Sequence, residues 1–259
     1  MPKRGYRNVG KRFILISLFL LFLTGCQNRN TQPEREKWVD LPVSDWPDFA
    51  LTNTIRFTDT TFSELANAFL VNTGYDTLAV TCKHIFLVFK NIGLVSIDPG
   101  TSFEDWYAYP KEQPDKKVVF GEMINKNSDE EIGEFNTLKD RDWLIFHLKT
   151  GNSGIYPLKI RTAPLKKGET IYAVGWSTTQ RTENPSLVRM QVFENLGNYC
   201  YIRTLSEGTD SHGRSGSPVI DSNGHLVGLV SGSEGNLGVI AAVPYLESLF
   251  EKYGIKFRK

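Results

Sequence analysis

From about residue 48 onward the chain alternates short runs of β-branched and aromatic residues with turn formers, a pattern that constrains the fold more than any other feature. Asn67-Ala-Phe-Leu-Val and Thr77-Leu-Ala-Val-Thr read as consecutive strands joined by the turn Asn72-Thr-Gly-Tyr-Asp. Trp143–Leu148 is another strand, and Thr170–Val174 follows the turn Lys167-Gly168. Leu187–Phe193 and Tyr199–Arg203 flank Glu194-Asn-Leu-Gly-Asn as a hairpin. Pro218-Val-Ile, the turn Asp221-Ser-Asn-Gly and His225–Val230 form a last one. Helix is expected twice. Thr61–Ala66 is a short candidate. The stronger lies at about 244–254, with Pro244 in its first turn, Leu246, Leu249 and Phe250 on one face, and Gly254 to stop it. The pattern is that of an all-β sandwich or barrel closed by a helix.

The amino terminus carries a different signal. Residues 1–25 contain five of the 30 basic residues (Lys3, Arg4, Arg7, Lys11, Arg12) and none of the 29 acidic ones, which leaves 25 against 29 in the remainder. A remainder of that sign gives no basic surface for nucleic acid. The apolar run Phe13–Leu23 is 11 residues long, too short for a bilayer-crossing helix of roughly 20. Leu23-Thr24-Gly25-Cys26 follows it and resembles the lipobox of bacterial lipoproteins, in which the thiol is acylated after small residues admit the signal peptidase. Residues 1–25 are then a signal peptide, and Cys26 is the lipidation site that fixes the protein to a membrane of the cell envelope, on the extracytoplasmic side. From Gln27 to Pro47 the chain is polar and broken by Pro33, Pro42 and Pro47, as expected of a tether. Export permits a Cys82–Cys200 bridge, and two buried free thiols satisfy the sequence as well.

Three segments carry candidate chemistry. In Gly213-Arg-Ser-Gly-Ser-Pro218, glycines on both sides of Ser215 allow a sharp turn on which backbone N–H groups can converge. A serine hydroxyl needs a base to take its proton and donors to receive the oxyanion that its attack creates. In Ala79-Val-Thr-Cys-Lys-His84 a histidine follows directly on a strand, which holds its ring on rigid structure. In Asp140-Arg-Asp142-Trp-Leu-Ile-Phe an acid enters an apolar strand. A buried Asp142 can orient the base, whereas Asp140 reads as a solvated edge residue.

Together these motifs resemble the chymotrypsin-like serine proteases. Thr81-Cys-Lys-His84 is similar to the family's Thr-Ala-Ala-His, and Asp142-Trp-Leu-Ile-Phe to its aspartate segment. Gly213-Arg-Ser-Gly-Ser-Pro is similar to the Gly-x-Ser-Gly-Ser-Pro of the bacterial glutamyl-endopeptidase-like branch. Gly228-Leu-Val-Ser-Gly-Ser resembles the strand beside which substrate lies. The order His, Asp, Ser is the family's, at spacings of 58 and 73 residues. The resemblance covers residues 48–259 and implies two six-stranded antiparallel β-barrels, one over about 48–155 and one over about 156–243, followed by the helix. It implies a serine endopeptidase acting on protein or peptide substrates without cofactor or metal. Ser215 is the nucleophile, His84 the base and Asp142 its orienting acid, with the N–H groups of Gly213 and Ser215 forming the oxyanion hole. Thr209, Asp210, Ser231, Gly232, Ser233 and Gly238 are the implied substrate-binding residues. Arg214 departs from the pattern, because trypsin-like zymogens carry aspartate there.

Of the other histidines, His225 beyond a hairpin turn reads as solvated. His147 sits within a strand, and His212 is three residues from Ser215. The competing function is a catalytically silent member that binds peptides or a partner in the same cleft. The presence of all three triad residue types argues against it.

Overall fold

The computed structural model describes residues 1–2, 34–149, 154–180, 184–208 and 212–258. The chain divides into Met1–Asn30, of which only the exposed Met1 and Pro2 are described, and Thr31–Lys259, which holds every described strand and helix. The apolar run, Cys26 and the first residues of the expected tether lie outside the described residues.

Strands appear where β-branched and aromatic residues are dense. In chain order they are β1 (Leu51–Phe57), β2 (Thr60–Asn72), β3 (Thr77–Thr81), β4 (Ser96–Ile97), β5 (Phe103–Tyr109), β6 (Val118–Met123), β7 (Asn127–Glu131) and β8 (Leu144–Leu148). Then come β9 (Leu158–Lys159), β10 (Thr170–Gly175), β11 (Ser186–Asn195), β12 (Tyr199–Thr204), β13 (Pro218–Ile220), β14 (Leu226–Glu234) and β15 (Leu237–Ala242). β1, β5, β6, β8, β3 and β2 pair in that order, and β1 pairs with β2 to close a six-stranded antiparallel barrel. β9 adds to β2 in parallel. β10, β11, β12, β15, β14 and β13 close the second barrel, also antiparallel. Closure leaves each barrel without a free edge.

Side chains alternate across each strand, so every second residue enters a barrel. The first barrel is filled by aromatic residues: Trp106, Phe120 and Phe146 are buried, with Phe146 5.0 Å from both other rings. The second is filled by aliphatic ones, among them Ile171, Val188, Met190, Ile202, Val219 and Ile240. Burying each such side chain contributes about 1.5–3 kcal/mol. The closing helix, α3 (Val243–Lys252, after the single turns Phe86–Phe89 and Phe135–Leu138), buries Leu246, Leu249 and Phe250 and has Pro244 in its first turn. Its end falls two residues before Gly254, which takes a left-handed φ of +68°.

Three expectations are corrected. Thr61–Ala66 is strand, not helix: pairing of Phe57–Thr54 with Thr60–Ser63 outweighs its local helical tendency. The register then shifts through a bulge, where Glu64 adopts φ 55°. Residues 34–47, expected to belong to a free tether, lie against the domain. Trp38 is buried, with its ring 5.0 Å from Trp46 and 5.2 Å from Phe49. The Glu36 N–H donates to Asn223 O (3.0 Å), and the Glu36 carboxylate pairs with Lys159 (2.7 Å) and accepts from the Tyr156 hydroxyl (2.8 Å). His225 is buried at 1% exposure rather than solvated, since this amino-terminal strap covers it and its Nε2 lies 3.2 Å from Glu34 O. Cys82 and Cys200 are free and buried.

Candidate active site

His84 sits in the turn Lys83–Ile85 that follows β3, and Asp142 lies just before β8, the strand that pairs with β3. Adjacent strand ends therefore bring together residues 58 positions apart. Asp142 is fully buried. Its Oδ1 accepts the His84 backbone N–H (2.7 Å), and its Oδ2 lies 2.7 Å from His84 Nδ1. The residues preceding these two, Lys83 and Arg141, both form ion pairs with Glu130 (2.9 and 3.1 Å), so a single carboxylate ties the two segments together. From the second barrel, the loop before β13 brings Ser215 Oγ to 2.8 Å from His84 Nε2. Serine, imidazole and carboxylate thus form one continuous chain across the two barrels. Burial by itself would lower the pKa of His84, but the Asp142 charge and its hydrogen bond outweigh that effect. The imidazole is held well above its ordinary value.

The loop 212–217 is pinned at each successive peptide. His212 O accepts from Thr178 N–H (2.9 Å), and Gly213 O from the Asn67 side-chain amide (2.9 Å). Arg214 O accepts from Ser217 N–H (2.9 Å), and Ser215 O from Asn67 N–H (2.7 Å). In a trans peptide the N–H points opposite to the C=O. Fixing the His212 and Arg214 carbonyls therefore aims the Gly213 and Ser215 N–H groups the other way. Among the described residues, no protein acceptor takes either of these two N–H groups. Gly213 and Gly216 have φ of +79° and +74°, and a Cβ on Gly216 would lie 2.1 Å from Asn67 O. Only glycine satisfies both the dihedral and the space there.

Beside Ser215 and Gly213 opens a cavity of about 650 Å³ that reaches the second-barrel core at Val188, Met190 and Ile202. Gly232, Ser233 and Gly238 line it. Ser231 does not belong to its wall. Its side chain turns to the other face of β14 and donates to Asp142 Oδ2. Strand alternation held this signal, because neighbours of Gly232 in an extended strand face away from it. Thr209 and Asp210 lie outside the described residues. His212 and His147 are exposed. Asn67 was missed as a site residue, since its partners in the second barrel are 109 to 148 residues away and no local motif marks it.

No curated protein sequence matches this chain. Among solved structures it is similar to the active form of the Rv3671c protease of M. tuberculosis (15% identity, TM-score 0.53, covering 87% of this chain and 89% of that one). It is also similar to a Glu endopeptidase in complex with MPD (15%, TM-score 0.54, 80% and 97%). A third is AL20, a thermostable serine protease from an extremophilic microorganism (14%, TM-score 0.54, 83% and 97%). Likenesses at these identities speak for the fold. The family model of the trypsin-like peptidase domain matches residues 66–229, an interval that holds His84, Asp142 and Ser215 within more than half of the chain. With the paired barrels and the site at their junction, this places the chain in the family of trypsin-like peptidase domains.

Proposed function

We propose that the chain is a serine endopeptidase that cleaves peptide bonds through an acyl-enzyme at Ser215. The observation that carries this reading is the unbroken relay from Ser215 Oγ to His84 Nε2 (2.8 Å) and from His84 Nδ1 to Asp142 Oδ2 (2.7 Å). Ser215 Oγ gives its proton to Nε2 and forms a bond to the substrate carbonyl carbon, whose π electrons move onto oxygen. The resulting oxyanion takes the N–H groups of Gly213 and Ser215. On collapse the C–N bond breaks, the amine leaves with the proton held on Nε2, and an ester remains on Ser215. Water, deprotonated by His84 in turn, hydrolyses that ester. Asp142 keeps the proton of the neutral ring on Nδ1 and stabilises the imidazolium. The protease activities named for the structural neighbours agree with this reading.

The protein missing its first 26 residues should be labelled covalently by a fluorophosphonate, and Ser215→Ala should abolish labelling. Absence of labelling in the wild type would leave a silent peptide-binding scaffold. Labelling that persists in the variant would move the nucleophile elsewhere. The resemblance of Leu23–Cys26 to a lipobox supports attachment to an envelope membrane through Cys26. Cys26→Ser should then remove the acylated, detergent-partitioning species, and unchanged acylation would refute the anchor.

A further inference from the structure

Asn67 lies in β2 of the first barrel, at 2% exposure, yet its backbone N–H and its side-chain amide bond to the second. Its backbone N–H donates to Ser215 O (2.7 Å). Its Nδ2 donates to Gly213 O (2.9 Å) and Trp176 O (3.0 Å), and its Oδ1 accepts the Trp176 N–H (3.1 Å). Thr81 Oγ1 donates to its carbonyl (2.7 Å). Two carbonyls and one N–H face this side chain, so only an amide, with donors on nitrogen and an acceptor on oxygen, satisfies all three. Aspartate has no donor and would put negative charge against two carbonyl oxygens. A Cβ added at Gly175 would lie 3.0 Å from Asn67 Oδ1, so glycine there leaves the amide its space.

The two loop carbonyls that Asn67 holds, Gly213 O by its side chain and Ser215 O by its N–H, belong to the peptides on either side of the Arg214–Ser215 peptide. We infer that Asn67 is a positioning residue, which keeps this loop in the conformation that turns the Gly213 and Ser215 N–H groups toward a developing oxyanion. The inference rests on the reading of Ser215 as the nucleophile. Asn67 touches neither substrate nor reacting atoms, and it acts through the backbone of the loop. Its effect therefore belongs to the transition state rather than to substrate binding.

The test compares wild type, Asn67→Asp and Asn67→Ser with a peptide ester, the matching peptide aldehyde and the matching peptide alcohol. The aldehyde forms a tetrahedral adduct with the serine and carries the oxyanion, whereas the alcohol does not. Removing a donor to an oxyanion costs about 10²–10³-fold in turnover, so about 10²-fold is expected here, with KM within a few-fold. Affinity for the aldehyde should fall in step with kcat/KM, and affinity for the alcohol should stay. Equal losses for aldehyde and alcohol, or kcat within about three-fold of wild type in either variant, would overturn the inference. Wild-type protein supplies a measurement that needs no variant. The Asn67 side-chain amide protons should be protected from exchange and should remain so when the aldehyde binds. Fast exchange there refutes the clamp. A wild type that resists fluorophosphonate would instead refute the nucleophile itself, so the two failures are distinguishable.

Discussion

Ser231 and His84 meet on the same carboxylate oxygen: the Ser231 hydroxyl and the His84 ring both bond Oδ2 of Asp142, while Oδ1 takes the His84 backbone N–H. Asp142 has no exposure to water, so these groups, rather than solvent, satisfy its charge. Removing the Ser231 hydroxyl deletes one bond to a buried anion, an interaction of about 1.5–3 kcal/mol. Ser231→Ala should therefore lower kcat by roughly 10-fold to 10²-fold with little change in the breadth of substrates accepted. A change in substrate preference with unaltered kcat would return Ser231 to the pocket wall.

Asp142 and Asp140 separate a positioning acid from a surface one. Asp142→Asn keeps an oxygen for the His84 backbone N–H but presents a donor to the ring, which favours the wrong tautomer. Turnover should fall by on the order of 10⁴ with the fold retained. Asp140 is exposed, and Asp140→Asn should stay within about two-fold. Steady-state kinetics and circular dichroism on the two variants decide the matter. Exchanged effects would mean that the acid has been misassigned by two residues.

How much of this was legible in the sequence depended on where each residue's partners lie. Ser215, His84 and Asp142 could be read because each needs a local setting that the chain writes beside it: glycines, a strand end, an apolar run. Five of the six strands of the second barrel could be read for the same reason, since hairpins pair neighbours, whereas β15 (Leu237–Ala242) was not read as a strand. Thr61–Ala66 could not, because its strand is enforced by β1 and then bent by the bulge at Glu64. Asn67 and the strap around Trp38 could not either. Their partners at Gly213, Trp176 and Asn223 are brought near only by closure of the fold.

The raised pKa of His84 sets opposite pH trends for activity and stability. Attack by Ser215 needs the neutral ring, so kcat/KM should rise with pH through the raised value and give an optimum on the alkaline side. The folded-state pKa lies above the unfolded one, so the His84–Asp142 attraction contributes fully to stability below the unfolded value of about 6.5. It is lost as pH climbs through the folded value. In Asp142→Asn the residual kcat/KM should turn on at lower pH, and the difference in Tm from wild type should be larger below the unfolded value than above the raised folded one. A kcat/KM that is flat across this range in the wild type, or a reversed difference in Tm, would refute the assignment.

Gly238 tests the cavity without touching the reacting groups. It pairs with Ile202 across β12 and β15, and a Cβ there would meet the Ile202 side-chain end at 2.5 Å. Valine at this position narrows the opening while the flexible end of Ile202 shifts. Gly238→Val should cut kcat/KM for peptide esters with large side chains before the scissile bond by about 10²-fold. Those with alanine there should change within a few-fold, and fluorophosphonate labelling should persist. Equal losses for both esters would mean that the cavity does not hold that side chain.

The strap and Arg214 together predict an enzyme whose amino terminus stabilises the fold but does not switch it on. Activation of the zymogen type pairs a freshly exposed amino terminus with an aspartate beside the nucleophile. Here that position is Arg214, buried at 6% exposure, whose guanidinium donates to Gly175 O and Ser186 Oγ. A permanently charged cation repels an incoming ammonium, and the loop is already held by Asn67 and Thr178. Trp38 and Glu36 meanwhile pack on Gly224, Tyr156 and Lys159. Losing a buried tryptophan costs about 3–5 kcal/mol, and each kcal/mol shifts Tm by about 2–4 °C at this size. A form beginning at Glu34 should match the mature chain in both Tm and specific activity, with no nicking required. A form beginning at Trp46 should melt on the order of 10 °C lower, yet its folded fraction, counted by fluorophosphonate labelling, should turn over substrate at the same rate per site. Activity that appeared only after a defined cut would overturn the reading of Arg214. An unchanged Tm on removal of residues 34–45 would show that the strap contributes nothing to stability.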